Sequence, residues 1–203
     1  MGKLLHFGLI FILLPACKKN TPDPVTPPAK ATYYFHATIG GSSVLFEETA
    51  ASGYGSGGWN GTGTTDSGWL AEQGSYLLKP FLPGNAAGYE LIKNFPFEPI
   101  GPEYEAMFHT GSYSFGNREE WTGLNPVNGV VVQYYDASGD EWATDLGSAD
   151  QTGSNFTITS HASNGLGNGY SVTKATFNCM LYDSTGNVKV LTGGEYAGRS
   201  LLY

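Results

Sequence analysis

Lys174-Ala175-Thr176-Phe177-Asn178-Cys179-Met180-Leu181-Tyr182 alternates without a break: Ala175, Phe177, Cys179 and Leu181 share one side, Lys174, Thr176, Asn178 and Met180 the other. Successive side chains of an extended chain point to opposite sides, so this period of two predicts a strand with one buried face. Cys179 falls on the apolar side and reads as a small core residue rather than a nucleophile. The same alternation runs through Asn155 to Ser160 by way of Phe156 and Ile158, and Gly129 to Tyr135 is a continuous run of Val130, Val131, Val132, Gln133 and Tyr134. Tyr33 to Ile39, then Gly40-Gly41, then Val44 to Phe46 predict a hairpin.

The segments between the predicted strands have turn chemistry. Tyr135-Asp136-Ala137-Ser138-Gly139-Asp140 and Tyr182-Asp183-Ser184-Thr185-Gly186-Asn187 each set an Asp ahead of two small residues and a Gly. The Asp side chain caps such a turn, and Gly takes the left-handed position of a type I turn with a bulge. Asp136, Ser138 and Asp140 have the one, three, five spacing of an EF-hand loop, but Gly at the sixth place and Glu at the twelfth are missing, so calcium is not expected. Glu90 to Asn94 and Glu103 to His109 are each predicted to make a turn or two of helix, with prolines 96, 99 and 102 breaking the stretch between. Many short strands divided by glycine-rich turns predict an all-β fold, an antiparallel, jelly-roll-like β-sandwich with a small β-barrel as the alternative.

Residues 31–203 suit a single domain, large enough to bury a core. That span holds Lys79, Lys93, Arg118, Lys174, Lys189 and Arg199 against seventeen acidic residues, 6 − 17 or a net charge of about −11. Phosphate binding needs clustered Lys and Arg, so nucleic acid is not an expected partner. The acidity favours a solvated surface.

Ahead of the domain, Met1-Gly2-Lys3 leads into an apolar run from Leu4 to Leu14 that ends in Leu14-Pro15-Ala16-Cys17. The layout is that of a secretory signal, and the run is too short for a bilayer, which needs about 20 apolar residues. Its last four residues resemble the lipobox of bacterial lipoproteins. The resemblance implies removal of residues 1–16 as a signal peptide, lipidation of Cys17, and an anchor held by several acyl chains. Lys18 to Lys30 reads KKNTPDPVTPPAK, with too little apolar surface to fold, and is expected to be a stalk of up to roughly 40 Å at about 3.1 Å per residue. With Cys17 lipidated, only Cys179 remains and no disulfide is expected, although export would allow one.

Ala50 to Ser75 contains eight glycines together with Tyr54, Trp59 and Trp69. Two readings stay open. In one it is a long surface loop whose aromatic faces stack on pyranose rings while Asn60, Asp66 and Gln73 bond hydroxyls. In the other, Trp59 and Trp69 alternate with glycines in two thin strands that fold back on the core. Trp121 and Trp142 are weaker candidates, Trp142 belonging to the strand after the Asp136 turn.

No catalytic constellation is expected. His36, His109 and His161 are isolated, without the i, i+4 pair of a zinc-binding helix. Ser171 in Gly169-Tyr170-Ser171-Val172 lacks the closing glycine of a nucleophile elbow. Gly165-Leu166-Gly167-Asn168-Gly169 has no helix pattern after it to present an amino end to phosphate, and reads as a hairpin loop. Of the carboxylate pairs Glu47-Glu48, Glu103/Glu105 and Glu119-Glu120, only Glu103 and Glu105 have the spacing to converge on one side of a strand, as glycoside hydrolysis would require.

Asn128-Gly129-Val130, the Asp136 turn, Trp142, Ser154 to Thr159, Phe177 to Asp183 and Leu191-Thr192-Gly193-Gly194 together resemble the small β-rich lipoproteins abundant in Bacteroidota. In that group surface export goes with an acidic run after the lipidated cysteine. Here the run is Lys18-Lys19-Asn20, which implies the periplasmic face of the outer membrane. The expected protein is a membrane-anchored, non-catalytic envelope lipoprotein binding a ligand, a glycan in the leading reading, through Tyr54, Trp59, Asn60, Asp66 and Trp69, with no metal or cofactor. The alternative is a structural or assembly lipoprotein contacting envelope proteins, and a glycoside hydrolase-like enzyme is third.

Overall fold

The structure, a computed structural model, describes residues 31–65, 68–80, 82, 84–118, 127–163, 165 and 169–201. Cys17, the leader, the stalk, Asp66, Trp121, the Glu119-Glu120 pair and most of the Gly165–Gly169 loop lie outside the described residues. None of the described helices is long and apolar enough to cross a membrane.

The elements in chain order are β1 (Tyr34–Ile39), β2 (Ser42–Glu47), β3 (Gly55–Thr65), β4 (Gly68–Leu78), β5 (Ala86–Phe95), α1 (Gly101–Glu105) continued by a 3₁₀ turn at Ala106–Phe108, β6 (Gly111–Ser112), β7 (Gly129–Tyr135), β8 (Glu141–Ala143), β9 (Asn155–Ser163), β10 (Tyr170–Tyr182) and β11 (Val188–Leu201). The strands pair antiparallel in the order β2-β1-β11-β10-β8-β7-β5-β4-β3, with β9 beside the first two thirds of β10 and β6 beside β9. The sheet curls far enough that β3 meets β11. Arg199 donates its backbone N–H to Ser56 Oγ at 2.7 Å and its guanidinium to Glu48 at 3.2 Å. The result is an all-β half-barrel.

The predicted strand at 174–182 is the second half of β10, and its alternation extends to the start. Ser171, Thr173, Ala175, Phe177, Cys179 and Leu181 all point inward, each at most 3 % exposed. Burial raises the Cys179 thiol well above its usual value, which suits a core residue. Both Asp turns form as expected. Asp136 accepts the N–H groups of Ser138 and Asp140, Asp183 those of Thr185 and Asn187, and Gly139 and Gly186 sit at φ 87 and 89°. The Tyr33 hairpin is β1–β2, and the expected helix at 103–109 is α1 with its 3₁₀ turn.

Two expectations are corrected. Glu90 to Asn94 is strand, not helix: β5 is hydrogen-bonded between β4 and β7 and buried on both faces, which erases the alternation that would have marked it. The glycine-rich stretch is not a surface loop but the long hairpin β3–β4, so the two-strand reading holds.

The main core is filled by rings, and glycines make room for them. Phe35, Phe156 and Phe177 stack in the half-barrel, and Tyr89 meets Tyr196 edge to face at 5.3 Å. A register slip in β11, with Gly193 at φ 60° and its N–H donated to Asn178 Oδ1, turns Gly194 inward beneath the ring of Phe177. A Cβ on Gly194 would stand 2.6 Å from that ring, and one on Gly198 would collide with the ring of Tyr196. Gly194→Ala is therefore expected to lower the unfolding free energy by about 1–3 kcal/mol through overpacking. Gly57→Ala, whose Cβ meets nothing within 4 Å, should leave the urea midpoint unchanged.

Candidate functional site

Strands β4, β5 and β7 are buried on both faces. Ala71, Leu77, Ala87, Tyr89, Leu91, Val130 and Val132 face the main core, whereas Leu70, Ile92 and Val131 on the reverse form a second small cluster with Ala143 and Leu146. Beside that cluster the reverse face turns polar. Glu72, Glu90 and Gln133 are 1 %, 2 % and 4 % exposed.

Register explains how they gather. Trp59 pairs with Gly74, Gly74 with Glu90, Tyr76 with Gly88 and Gly88 with Gln133, so these residues share one face of four adjacent strands. Since Glu72 pairs with Ile92, Glu72 and Glu90 are diagonal neighbours, about 7–8 Å apart along the sheet. A Cβ on Gly74 would run into both the Trp59 indole and the Tyr76 ring, and one on Gly88 would meet Tyr76 at 2.6 Å. Both rings therefore lie flat on a strip of bare backbone.

A chain of hydrogen bonds joins them. Gln133 Nε2 donates to the Tyr76 hydroxyl at 2.7 Å and to Glu90 Oε2 at 3.2 Å, and the Tyr76 hydroxyl is also bonded to Trp59. Burial first, and the charge of Glu90 second, push the Tyr76 hydroxyl far up, so it stays neutral. Arg118 closes the other wall: its Nε and Nη2 donate to the two oxygens of Asp145 at 2.8 and 2.9 Å, and Nη2 also donates to Glu141 at 2.9 Å. Burial alone would lower its pKa, but the bonds and charges of Asp145 and Glu141 outweigh this and raise it, so the cation is permanent. These groups, with Leu146, Gly147 and Ser184, line an open cleft of about 610 Å³.

The sequence-predicted residues are only partly brought together. Trp59, 36 % exposed, borders the cleft. Trp69 pairs with Thr64 and so falls on the opposite face of the hairpin, half-buried. Asn60, next to Trp59 in the strand, is exposed on the other face. Tyr54 stacks on Phe46 at 4.9 Å with Lys79 over its ring, away from the cleft, and Gln73 points inward at 1 % exposure. Sequence reasoning missed Tyr76, Glu90, Arg118, Gln133, Glu141 and Asp145. The available signal was the glycines at 74 and 88 beside large polar residues inside strands, where a glycine marks a close approach.

The carboxylates weighed for hydrolysis do not converge. Glu103 accepts the Ile100 N–H at 2.8 Å and caps α1, whereas Glu105 lies near His161. Glu72 and Glu90, though neighbours on the sheet, are too deeply buried to reach a scissile bond. His161 stacks on Phe108 and hydrogen-bonds Thr173 Oγ1 at 2.8 Å and Ser171 Oγ at 3.2 Å. Ser171 is fully buried, which denies any substrate to this serine–histidine pair. Asp136 uses both oxygens within the fold, Oδ2 accepting from Trp142 Nε1 and Lys189 Nζ, and no group of three metal-binding side chains occurs among the described residues.

No protein-family model, curated protein or solved structure matches this chain.

Burial holds His161 below the usual histidine value of 6.5, whereas the unfolded chain titrates normally. Between those two values the unfolded state binds more protons, so this contribution to stability is complete above about pH 6.5 and is lost as the pH falls through the depressed value. Urea titrations between about pH 7.5 and 5 should show a falling midpoint in the native protein and a shallower fall in His161→Phe, whatever the variant's absolute stability.

Proposed function

We propose that this chain is a membrane-anchored, non-catalytic envelope lipoprotein whose β-domain binds a glycan in the cleft beside Trp59. The supporting observation is the Trp59 indole lying flat over Gly74 and Gly61, its outer side exposed to a cleft of about 610 Å³ whose floor and walls are polar. A sugar ring has an apolar face and an equatorial belt of hydroxyls. A flat aromatic platform backed by placed acceptors and donors matches both. The platform is rigid before binding, because the backbone beneath it and the bond to Tyr76 hold the indole in place, so little side-chain entropy is lost on binding.

The anchor reading rests on Leu14 to Cys17 and the proline-rich segment after them. The assembly reading is favoured by a different feature: among the described residues β2 is a sheet edge without an outer partner, carrying Leu45 at 58 % exposure.

A glycan array probed with the full chain should give signal on at least one oligosaccharide. Trp59→Ala should weaken that signal at least tenfold, about 1.4 kcal/mol, in protein whose circular-dichroism spectrum shows it folded. No signal on any sugar would overturn the glycan reading and favour the assembly one. Cys17→Ser should move the protein from the membrane fraction to the soluble fraction; a variant that stays in the membrane fraction would refute the anchor.

A further inference from the structure

We propose that the loop from Phe97 to Ile100 dips into the surface of the bilayer that holds Cys17, so that the β-domain rests on the membrane by this end. The inference rests on the anchor reading and names the part of the domain that meets the lipid.

The loop is apolar outside and fixed inside. It joins β5 to α1 and reads Phe95-Pro96-Phe97-Glu98-Pro99-Ile100-Gly101-Pro102. Phe97 at 79 % and Ile100 at 65 % are the most exposed large apolar side chains among the described residues, and left in water they contribute nothing to folding. Pro99 between them is buried, Glu103 accepts the Ile100 N–H at 2.8 Å, and Tyr104, Met107 and Phe108 just beyond belong to the main core. With Pro96, Pro99 and Pro102 fixing φ as well, the two side chains stand on a stiff support, so little conformational entropy is lost when they meet a partner. Val127, 52 % exposed, lies at the same end: the side chain of its neighbour Asn128 accepts the backbone N–H of Asn94 at 2.7 Å, next to the end of β5.

Topology decides what that end meets. Each strand is antiparallel to the next along the path β1, β11, β10, β8, β7, β5, so the start of β1 lies towards the same end of the sheet as the end of β5. The chain enters β1 by way of Tyr33, whose carbonyl accepts the Glu48 N–H at 2.9 Å and whose ring lies under Arg199. Cys17 is only fourteen residues before Ala31, and at about 3.1 Å per residue that tether spans at most roughly 40 Å. The tether is thus attached on the side of the domain that carries Phe97 and Ile100. On so short a tether, contact with the bilayer is intramolecular and occurs at high effective concentration. Two apolar side chains then suffice to orient the domain, although they could not hold it at a membrane without Cys17. Glu98 between them and Glu103 and Glu105 on α1 are exposed, so the surface that fits is a zwitterionic one, and an anionic surface would repel this end.

The test is lipid quenching of a dye on the full, lipidated chain, reconstituted in phosphatidylcholine vesicles with brominated acyl chains. A thiol-reactive fluorescent dye is placed at Phe97→Cys or, in the Asp136 turn at the opposite end of the sheet, at Ser138→Cys. With Cys17 acylated and Cys179 buried, its thiol held neutral, the introduced cysteine is the one that reacts. Both positions are exposed, and circular dichroism checks that each labelled protein is folded. The dye at position 97 should be quenched at least threefold more strongly than the dye at position 138, and the difference should shrink when about a third of the lipid is anionic. Equal quenching at the two positions, in protein that floats with the vesicles, would overturn the inference, leave the anchor standing and favour a protein as the partner of this loop. Protein that does not float with the vesicles would overturn the anchor reading and the inference with it.

Discussion

Aromatic rings laid over glycines are the constraint on which this structure depends. Phe177 covers Gly194, Tyr196 covers Gly198, Tyr76 covers Gly88, and Trp59 with Tyr76 covers Gly74. In each case the missing Cβ is the space that the ring fills, and ring and glycine lie on neighbouring strands or two residues apart on the same strand. Glycine weakens a strand taken alone, since it adds backbone entropy and leaves nothing to pack. Here an adjacent ring restores the packing, so Phe177 is only 2 % exposed although Gly194 provides no side chain.

That device lets a single curled sheet bury both sides of its central strands. On the inner face it brings large rings close to the backbone of β11 and closes the half-barrel against β3 through Ser56 and Arg199. On the outer face it flattens Trp59 and Tyr76, so that they form a surface rather than project from it. The polar interior at the same end of the barrel is a network of short bonds: Ser75 Oγ to Tyr196 Oη at 2.9 Å, Ser75 Oγ donating to the Arg199 carbonyl at 2.6 Å, and Thr173 to Ser200. The hydroxyls of Ser75, Tyr196, Thr173 and Ser200 are thus satisfied where the apolar core thins out.

The legible parts of the fold were those with one face in and one face out. β10, β9 and the β1–β2 hairpin show in the sequence because their outward residues are polar, and the two Asp turns show because the side-chain bonds that cap them are local. β5 was not legible, since Glu90, Leu91, Ile92 and Lys93 face alternately two different buried surfaces and their spacing matches a helix as well as a strand. The site was legible only at Trp59. Trp69 carries the same composition signal, but the pairing of Thr64 with Trp69 sets it on the other face, and that parity is a property of the hairpin register rather than of composition. Arg118 comes from a segment remote from Glu141 and Asp145, and nothing in its sequence spacing relates it to them.

Stability alone does not account for the reverse face of β4, β5 and β7. Leu70, Ile92 and Val131 show that this face packs apolar side chains well, and the positions held by Glu72, Glu90 and Gln133 adjoin them in the same strands. Taking a carboxyl group out of water costs free energy before its bonds offset any of it, and hydrophobic residues of similar size at such positions are often neutral or stabilising. The fold bears that cost twice, on adjacent strands, beside the one exposed indole of the described residues. Glu90 and Gln133 belong to the same bonded chain as Trp59 and Tyr76, so the polar groups and the platform form one unit. A buried acceptor set rigidly coupled to an exposed aromatic surface is an arrangement that folding does not require and that ligand recognition uses directly.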